Sequence, residues 1–455
     1  MNFDVRRAGL LLHPTSLPSG TLADAERWLD FMHAAGFCVW QMLPLGLPLV
    51  GLSPYQCASA FAVNPALFPP GDKNAPRVDM RRFAGWHAAQ RHWLDDYARF
   101  VVIKQEQGGA AWTDWPQPLR DRDPAALARF DASHRDALKR VEVEQYRAAL
   151  RWRRIRKAAA ARGIQLFGDM PIFVAHDSAD VWAHRALFLL DATGHPTVVA
   201  GVPPDYFSET GQRWGNPHYN WDAMQADGFA WWRARLRAHF EWFDLVRIDH
   251  FRGLAEAWAI PASEATAVHG EWRASPGAAL LEAVGAEMRS LPLVAEDLGL
   301  ITPDVTALRH QFALPGMAVL QFAFDDHADN PHKPENVHPD TVYYTGTHDN
   351  DTTLGWWRTL PDHARHQVMQ QLGVADPDAV PDAMIAVVLE SRAAVAVLPL
   401  QDVLHLGSEA RMNTPGTDNG NWGWRFRWDA LTPGLAARLL QQLRKAHRCE
   451  SRATP

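Results

Sequence analysis

The chain has 455 residues with a formal net charge of -7, which excludes a nucleic-acid face built from clustered Lys and Arg. A content of 47% hydrophobic and 21% charged residues reads as an ordinary globular protein able to bury a core the size of one large barrel or of two or three domains. Cys38, Cys57 and Cys449 are too few and too scattered for a disulfide framework or a zinc site, and they fit a reducing, cytoplasmic setting. The apolar run around Leu10 is too short for a signal peptide, and no stretch is long and apolar enough to span a membrane. The count of 20 Trp is high, and many stand beside Gly, Asn or Asp, where an indole can meet the C–H face of a sugar and offer its N–H to a hydroxyl.

In chain order, short apolar runs that end in polar or glycine-rich turns alternate with longer helical patterns. The strand runs are 8–12, 38–45, 164–174, 245–251, 293–298, 317–324, 341–346 and 395–400. Helical patterns at 22–35, 145–161, 229–243, 278–289, 303–312 and 353–372 lie between most of them, and one at 435–447 follows the last. Eight such units close as an α/β protein of the (β/α)8 barrel type, a single catalytic barrel over 1–455 with chemistry at the C-terminal ends of its strands. Two connections are long enough to be large helical insertions: 46–163, whose charge-rich patterns at 83–107 and 127–157 form a subdomain, and 175–244. The first strand begins so near the N-terminus that no N-terminal accessory domain is expected.

The stretch DLVRIDHFRG (244–253) organises the rest. In a strand, side chains at i and i+2 share a face, so Arg247 and Asp249 point one way and Val246 and Ile248 the other. An Arg and an Asp on one face of a core strand are costly unless they serve each other or a ligand. Beside Arg247, Asp249 is expected to have a depressed pKa and to stay ionised, as suits a nucleophile. Acids recur at other strand ends: Asp169 in the third run, Glu296 and Asp297 in the fifth, His348 and Asp349 in the seventh. Glu296 and Asp297 alternate, so only one faces the barrel mouth. Asp297 is expected to turn away to backbone or an Arg, His250 to pack, His13 and Pro14 to be structural, and Trp231 and Trp232 to be core.

Carboxylates converging from strands four, five and seven meet the requirement of glycoside hydrolysis, an ionised nucleophile opposite a protonated acid. A third carboxylate holds the sugar ring, and His348 donates to one of its hydroxyls. Two other readings compete. A metal-dependent hydrolase could use His250–Asp249 and His348–Asp349, but it lacks an HxH after the first strand and Arg247 would repel the cation. A non-catalytic glucan-binding protein would leave three acid-bearing strand ends without purpose.

Motifs along nearly the whole chain then carry a resemblance: GLLLHPTSLPSG (9–20), SPYQ (53–56), GDMPIFVAHDSADVW (168–182), GVPPDYFSETGQRWGNPHYNW (201–221), VRIDHFRG (246–253), AEDLG (295–299), THDND (347–351) and NTPGTDNGNWGWR (413–425). In this order they resemble the 4-α-glucanotransferases of glycoside hydrolase family 77, the amylomaltases, which are related to the α-amylases. The resemblance implies Asp249 as nucleophile, Glu296 as general acid/base and Asp349 as transition-state stabiliser. It implies Arg247 and His348 at the nucleophile and the bound sugar, and Tyr55, Asp169, Tyr206, Phe207, Gln212, Trp214 and Asn413 along the glucan. Cys57 after SPYQ and the proline-rich 63–80 depart from the pattern and bear on the donor or a secondary glucan site. The implied reaction is retaining transfer of a 1,4-α-glucan segment to the 4-hydroxyl of an acceptor, with amylase-type hydrolysis the alternative. No metal or organic cofactor is required. The implied partners are maltooligosaccharides and starch- or glycogen-type glucans, with neither nucleic acid nor membrane, for a monomer or homodimer. The loop 201–221 is expected to hang over the catalytic end as a lid that keeps water out.

Overall fold

The computed structural model describes residues 3, 5–49, 51–69, 78–204, 208–288, 290–417 and 419–449. Each of the eight expected runs overlaps one strand of a parallel barrel, and two of the strands begin a residue before their run. The strands are β1 (Arg7–Leu11), β2 (Val39–Gln41), β3 (Gln165–Pro171), β4 (Leu245–Asp249), β5 (Leu293–Ala295), β6 (Gly316–Val319), β7 (Thr341–Tyr344) and β8 (Val395–Pro399). They pair in the order β6-β7-β8-β1-β2-β3-β4-β5, and the Ala295 N–H donates to the Pro315 carbonyl at 2.8 Å, which brings the two ends of the sheet together. The result is a (β/α)8 barrel.

Strand alternation divides the apolar side chains into two sets. Leu11, Val39, Phe167, Leu245, Val294, Val319, Val342, Tyr344, Val395 and Val397 fill the barrel interior, while Leu10, Trp40, Leu166, Val246, Ile248 and Leu398 join the larger core under the helices. Stepping two residues toward the C-terminal end from interior positions leads from Phe167 to Asp169, from Leu245 to Arg247 and Asp249, and from Val294 to Glu296. The same period that packs the barrel therefore delivers the charged groups to its mouth.

The helices follow the expected patterns with two breaks. The 353–372 pattern divides into Thr353–Thr359 and Asp362–Leu372, because Pro361 has no N–H to continue a helix and pushes Leu360 out of the helical region. The 127–157 pattern divides into Pro124–Ser133 and Arg135–Ala161 at His134, which caps the first helix. A helix at Val380–Glu390 before β8 was not among the expected ones. Trp231 and Trp232 are buried, as expected.

A second, antiparallel sheet is the larger difference. Its strands run in the order Gln212–Pro217, Val198–Val202, Glu256–Pro261 and Glu271–Ala274. The first two lie in the β3–β4 connection and the others follow β4, so the sheet ties together the chain that leaves neighbouring barrel strands at the mouth. The stretch 201–221, expected as a loop, is thus partly strand. Gly201 lets these strands approach closely, since a Cβ there would stand 2.1 Å from the Gln212 carbonyl oxygen. Gln56, from the β2–β3 connection, donates to Asn216 Oδ1 at 2.8 Å and anchors the sheet from the other side.

Candidate active site

Asp169 and Arg247 face each other across the β3–β4 register. Arg247 Nη1 donates to Asp169 Oδ1 and Oδ2 at 2.9 and 2.8 Å, and Nη2 donates to Asp249 Oδ1 at 2.8 Å. The Tyr55 hydroxyl donates to Asp169 Oδ2 at 2.6 Å and lies 2.8 Å from His348 Nε2. With its own proton spent on Asp169, the hydroxyl oxygen accepts there, which fixes His348 as the Nε2–H tautomer. Burial holds the His348 pKa low, with Asp349 pulling up and Arg247 pushing down, so the ring is neutral. Tyr55 stacks on His348 with centroids 5.4 Å apart, and Trp422 leans on both rings at 6.1 Å.

The Asp169 side chain is 0% exposed. Both its oxygens serve Arg247 and Tyr55, so it positions those two groups from below instead of touching a sugar. Asp249, with 29% of its side chain exposed, and Asp349, with 43%, open to the mouth.

Asp349 is held by residues far away in sequence. Asn413 Nδ2 donates to Asp349 Oδ1 at 2.6 Å, Arg411 Nη2 donates to the Asp349 carbonyl at 2.6 Å, and Arg411 Nε donates to the Asn413 carbonyl at 2.7 Å. Asn350 Oδ1 accepts from the N–H and hydroxyl of Thr347, which shapes the turn that presents His348 and Asp349. Buried Asp402 accepts from the Thr345 hydroxyl and from the N–H and hydroxyl of Thr353, bracing that turn on both sides.

Glu296 faces the mouth and accepts from the His250 N–H at 2.6 Å through Oε2 and from the Leu298 N–H at 3.1 Å through Oε1. His250 sits at φ +52°, an uncommon conformation for a residue with a Cβ, held here at the residue whose N–H binds Glu296. Its ring meets Trp214 edge-on at 4.9 Å. Asp297 turns away as expected, accepting from the Met317 N–H at 2.7 Å and pairing with Arg309 at 3.2 Å.

The electrostatics correct one expectation. Burial is the main influence on Asp249 and raises its pKa; Arg247 lowers it, while Asp169, Glu296 and Asp349 raise it further, and the net shift is upward. The sequence places Arg247 two residues from Asp249 but does not reveal that Asp169, from the neighbouring strand, takes two of its hydrogen bonds. Burial also raises Glu296, against Arg247 and the two backbone donors. Asp249 and Glu296 therefore compete for a proton, and Arg247 is bonded to Asp249 alone of the two.

The structure thus gathers Tyr55, Asp169, Arg247, Asp249, Glu296, His348, Asp349 and Asn413 into one site. Trp214 donates to Gln212 Oε1 at 3.1 Å and joins it through His250. Tyr206 and Phe207 lie outside the described residues. Arg411, Trp422 and the His250 backbone went unassigned in the sequence reading; of these only Trp422 carried a signal, a Trp between Asn and Gly in the last motif.

An ionised-capable carboxylate under an Arg, a second carboxyl across the mouth and a third beside a neutral His define a carbohydrate-active barrel of the acid-pair class. The model of glycoside hydrolase family 77, 4-alpha-glucanotransferase, matches residues 11–72 and 68–432, and the chain belongs to that family. It is 46% identical to a 4-alpha-glucanotransferase of Thermus thermophilus over 95% of this chain and 97% of that one. It is 40% identical to a chloroplastic/amyloplastic 4-alpha-glucanotransferase of Solanum tuberosum, over 93% and 82%. A solved amylomaltase from Streptococcus agalactiae in complex with acarbose superposes with a TM-score of 0.93 at 30% identity, covering 98% of this chain and all of that one.

Proposed function

We propose that the chain is a retaining 4-α-glucanotransferase that cuts a 1,4-α-glucan and passes the released segment to the 4-hydroxyl of another glucan or of glucose. The observation that carries this reading is the asymmetry of the two carboxyls: Arg247 hydrogen-bonds Asp249 and not Glu296. That bond favours the ionised form of Asp249 and leaves the shared proton to Glu296. Asp249 attacks C1 as Glu296 protonates the departing oxygen, and a covalent glucosyl ester forms. In the second half Glu296 takes the proton of the acceptor 4-hydroxyl and the ester breaks. Asp349, with His348 beside it, accepts sugar hydroxyls and holds the ring in the distorted form of the transition state. Two carboxyl groups carry every proton and bond exchange, so exhaustive chelation leaves the transfer rate unchanged.

Transfer also requires that an acceptor sugar outcompete water at the ester. Trp214 on the second sheet, with Tyr206 and Phe207 nearby in sequence, supports a cover over the intermediate in 201–221. We read the substrates as maltooligosaccharides and starch- or glycogen-type glucans, met in the cytoplasm, where a chain with three scattered cysteines is at home. Among the described residues no helix is long and apolar enough to cross a membrane. Incubation with maltotriose tests the reading. A ladder of longer maltooligosaccharides plus glucose supports transfer, and glucose with maltose alone would make the chain a hydrolase.

A further inference from the structure

The two longest helices, Met80–Glu106 and Arg135–Ala161, lie in the connection between β2 and β3 and pack along each other. Where they meet, His87 Nε2 stands 2.9 Å from Asp95 Oδ1 and 3.5 Å from Glu142 Oε1. All three atoms lie within 4.8 Å of one another. His87 Nε2 and Asp95 Oδ1 are closed to solvent and make no hydrogen bond, even with each other. The 2.9 Å approach of these two atoms is too poorly aligned to be a hydrogen bond, so the hydrogen-bonding capacity of both is left unused. The outer oxygens are already engaged: Asp95 Oδ2 accepts from Arg91 Nε at 3.1 Å and Glu142 Oε2 from Lys139 Nζ at 3.3 Å. Each carboxylate thus has one oxygen tied back and the other turned to the imidazole, as outer partners orient metal-binding groups. Phe83, Trp86 and Tyr146 meet in tilted and edge-on contacts at 5.1–6.4 Å that pack one helix against the other.

We propose that His87, Asp95 and Glu142 form a binding site for a divalent cation of the zinc type, which clamps the two insertion helices together. Metal–ligand bonds of about 2.1 Å put neighbouring ligands roughly 3.0 Å apart in an octahedron and 3.4 Å apart in a tetrahedron, close to the two spacings from His87. One imidazole with two carboxylates suits zinc, manganese or cobalt better than calcium, which prefers an all-oxygen shell. Water completes the shell. The site shares no residue with the catalytic carboxylates, so its role is to stiffen the insertion.

The test uses the full chain, stripped with a chelator that is then removed, and titrated with zinc chloride by calorimetry and by thermal unfolding at pH 7.5. The site predicts one ion per chain and a higher unfolding temperature. His87→Ala and Glu142→Gln, each checked for native far-ultraviolet dichroism, should weaken binding by on the order of 100-fold and abolish the thermal gain. Arg91→Met, which loses only an outer partner, should weaken it by about tenfold. Transfer from maltotriose should be equal with and without zinc. Absence of saturable binding would overturn the proposal and leave only an imidazole set between two carboxylates. Binding that is undiminished in both His87→Ala and Glu142→Gln would overturn it as well, since the ion would then belong to other side chains.

Discussion

Replacing Tyr55 by Phe removes one oxygen from the floor of the site and keeps the ring that stacks on His348 and Trp422. That oxygen makes two hydrogen bonds, to Asp169 Oδ2 at 2.6 Å and with His348 Nε2 at 2.8 Å. A hydrogen bond to a charged group contributes about 1.5–3 kcal/mol. The Asp169 side chain is 0% exposed, so no water replaces the hydroxyl and the upper half of that range applies. His348 also loses its acceptor, and the nearest alternative is Asp349 Oδ2 at 3.3 Å. Turning to it would displace the ring from the bound sugar and tie up a carboxylate that the transition state needs. At about 1.4 kcal/mol per tenfold, kcat/KM for glucose release from maltotriose should fall by roughly 40- to 150-fold. If Tyr55 and Asp169 act as a unit, Asp169→Asn should cost less on the Tyr55→Phe background than alone. A fall of less than about threefold in kcat/KM, with only the melting temperature lowered, would reduce Tyr55 to a structural residue and refute this reasoning.

Glu296→Gln should lower turnover of maltooligosaccharides by on the order of 10²–10⁴-fold, and retention of a tenth of the wild-type rate would remove Glu296 as the acid. Asp349→Asn deletes one of the negative neighbours that raise Asp249, so the acid limb of kcat/KM should move to lower pH; an unmoved or raised limb would contradict the assignment. Stability should also depend on pH through buried histidines: burial holds His218, His239, His250 and His332 at about 4, against an ordinary 6.5. Their folded pKa values lie below the unfolded ones, so this stability is complete above 6.5 and is lost as the pH falls from there toward 4. Each group adds about 1.4 kcal/mol per pH unit to the slope. Urea unfolding at pH 7.5, 6 and 5 measures it, His332→Asn should make it shallower by one such step, and a flat profile would count against neutral burial.

The barrel was legible because its strands are apolar runs of the right length, each bounded by a turn, and because one period of two both packs the interior and lifts Asp169, Arg247, Asp249 and Glu296 to the mouth. The second sheet was not. Glu271–Ala274 carries two charges in four residues and Gln212–Pro217 ends on Gly, Asn and Pro, so neither shows alternation; both are strands because their partners complete their backbone hydrogen bonds. The clamp on Asp349 was hidden for a similar reason. Arg411 stands alone in the sequence, and only the return of the chain after β8 brings it to the Asp349 carbonyl. The Asp249 pKa failed as a local inference because the burial and the three carboxylates that raise it come from β3, β5 and the turn after β7.

The central claim is a covalent ester on Asp249, made with the help of Glu296 and broken by it. Glu296→Gln treated with α-maltosyl fluoride isolates that ester: the fluoride departs without acid help, and the missing base slows the second step. Intact-protein mass spectrometry should then show one added maltosyl unit, and peptide mapping should place it on Asp249, with Glu296→Gln/Asp249→Asn unlabelled. A label on another residue, or no label together with a product of inverted anomeric configuration, would contradict the account.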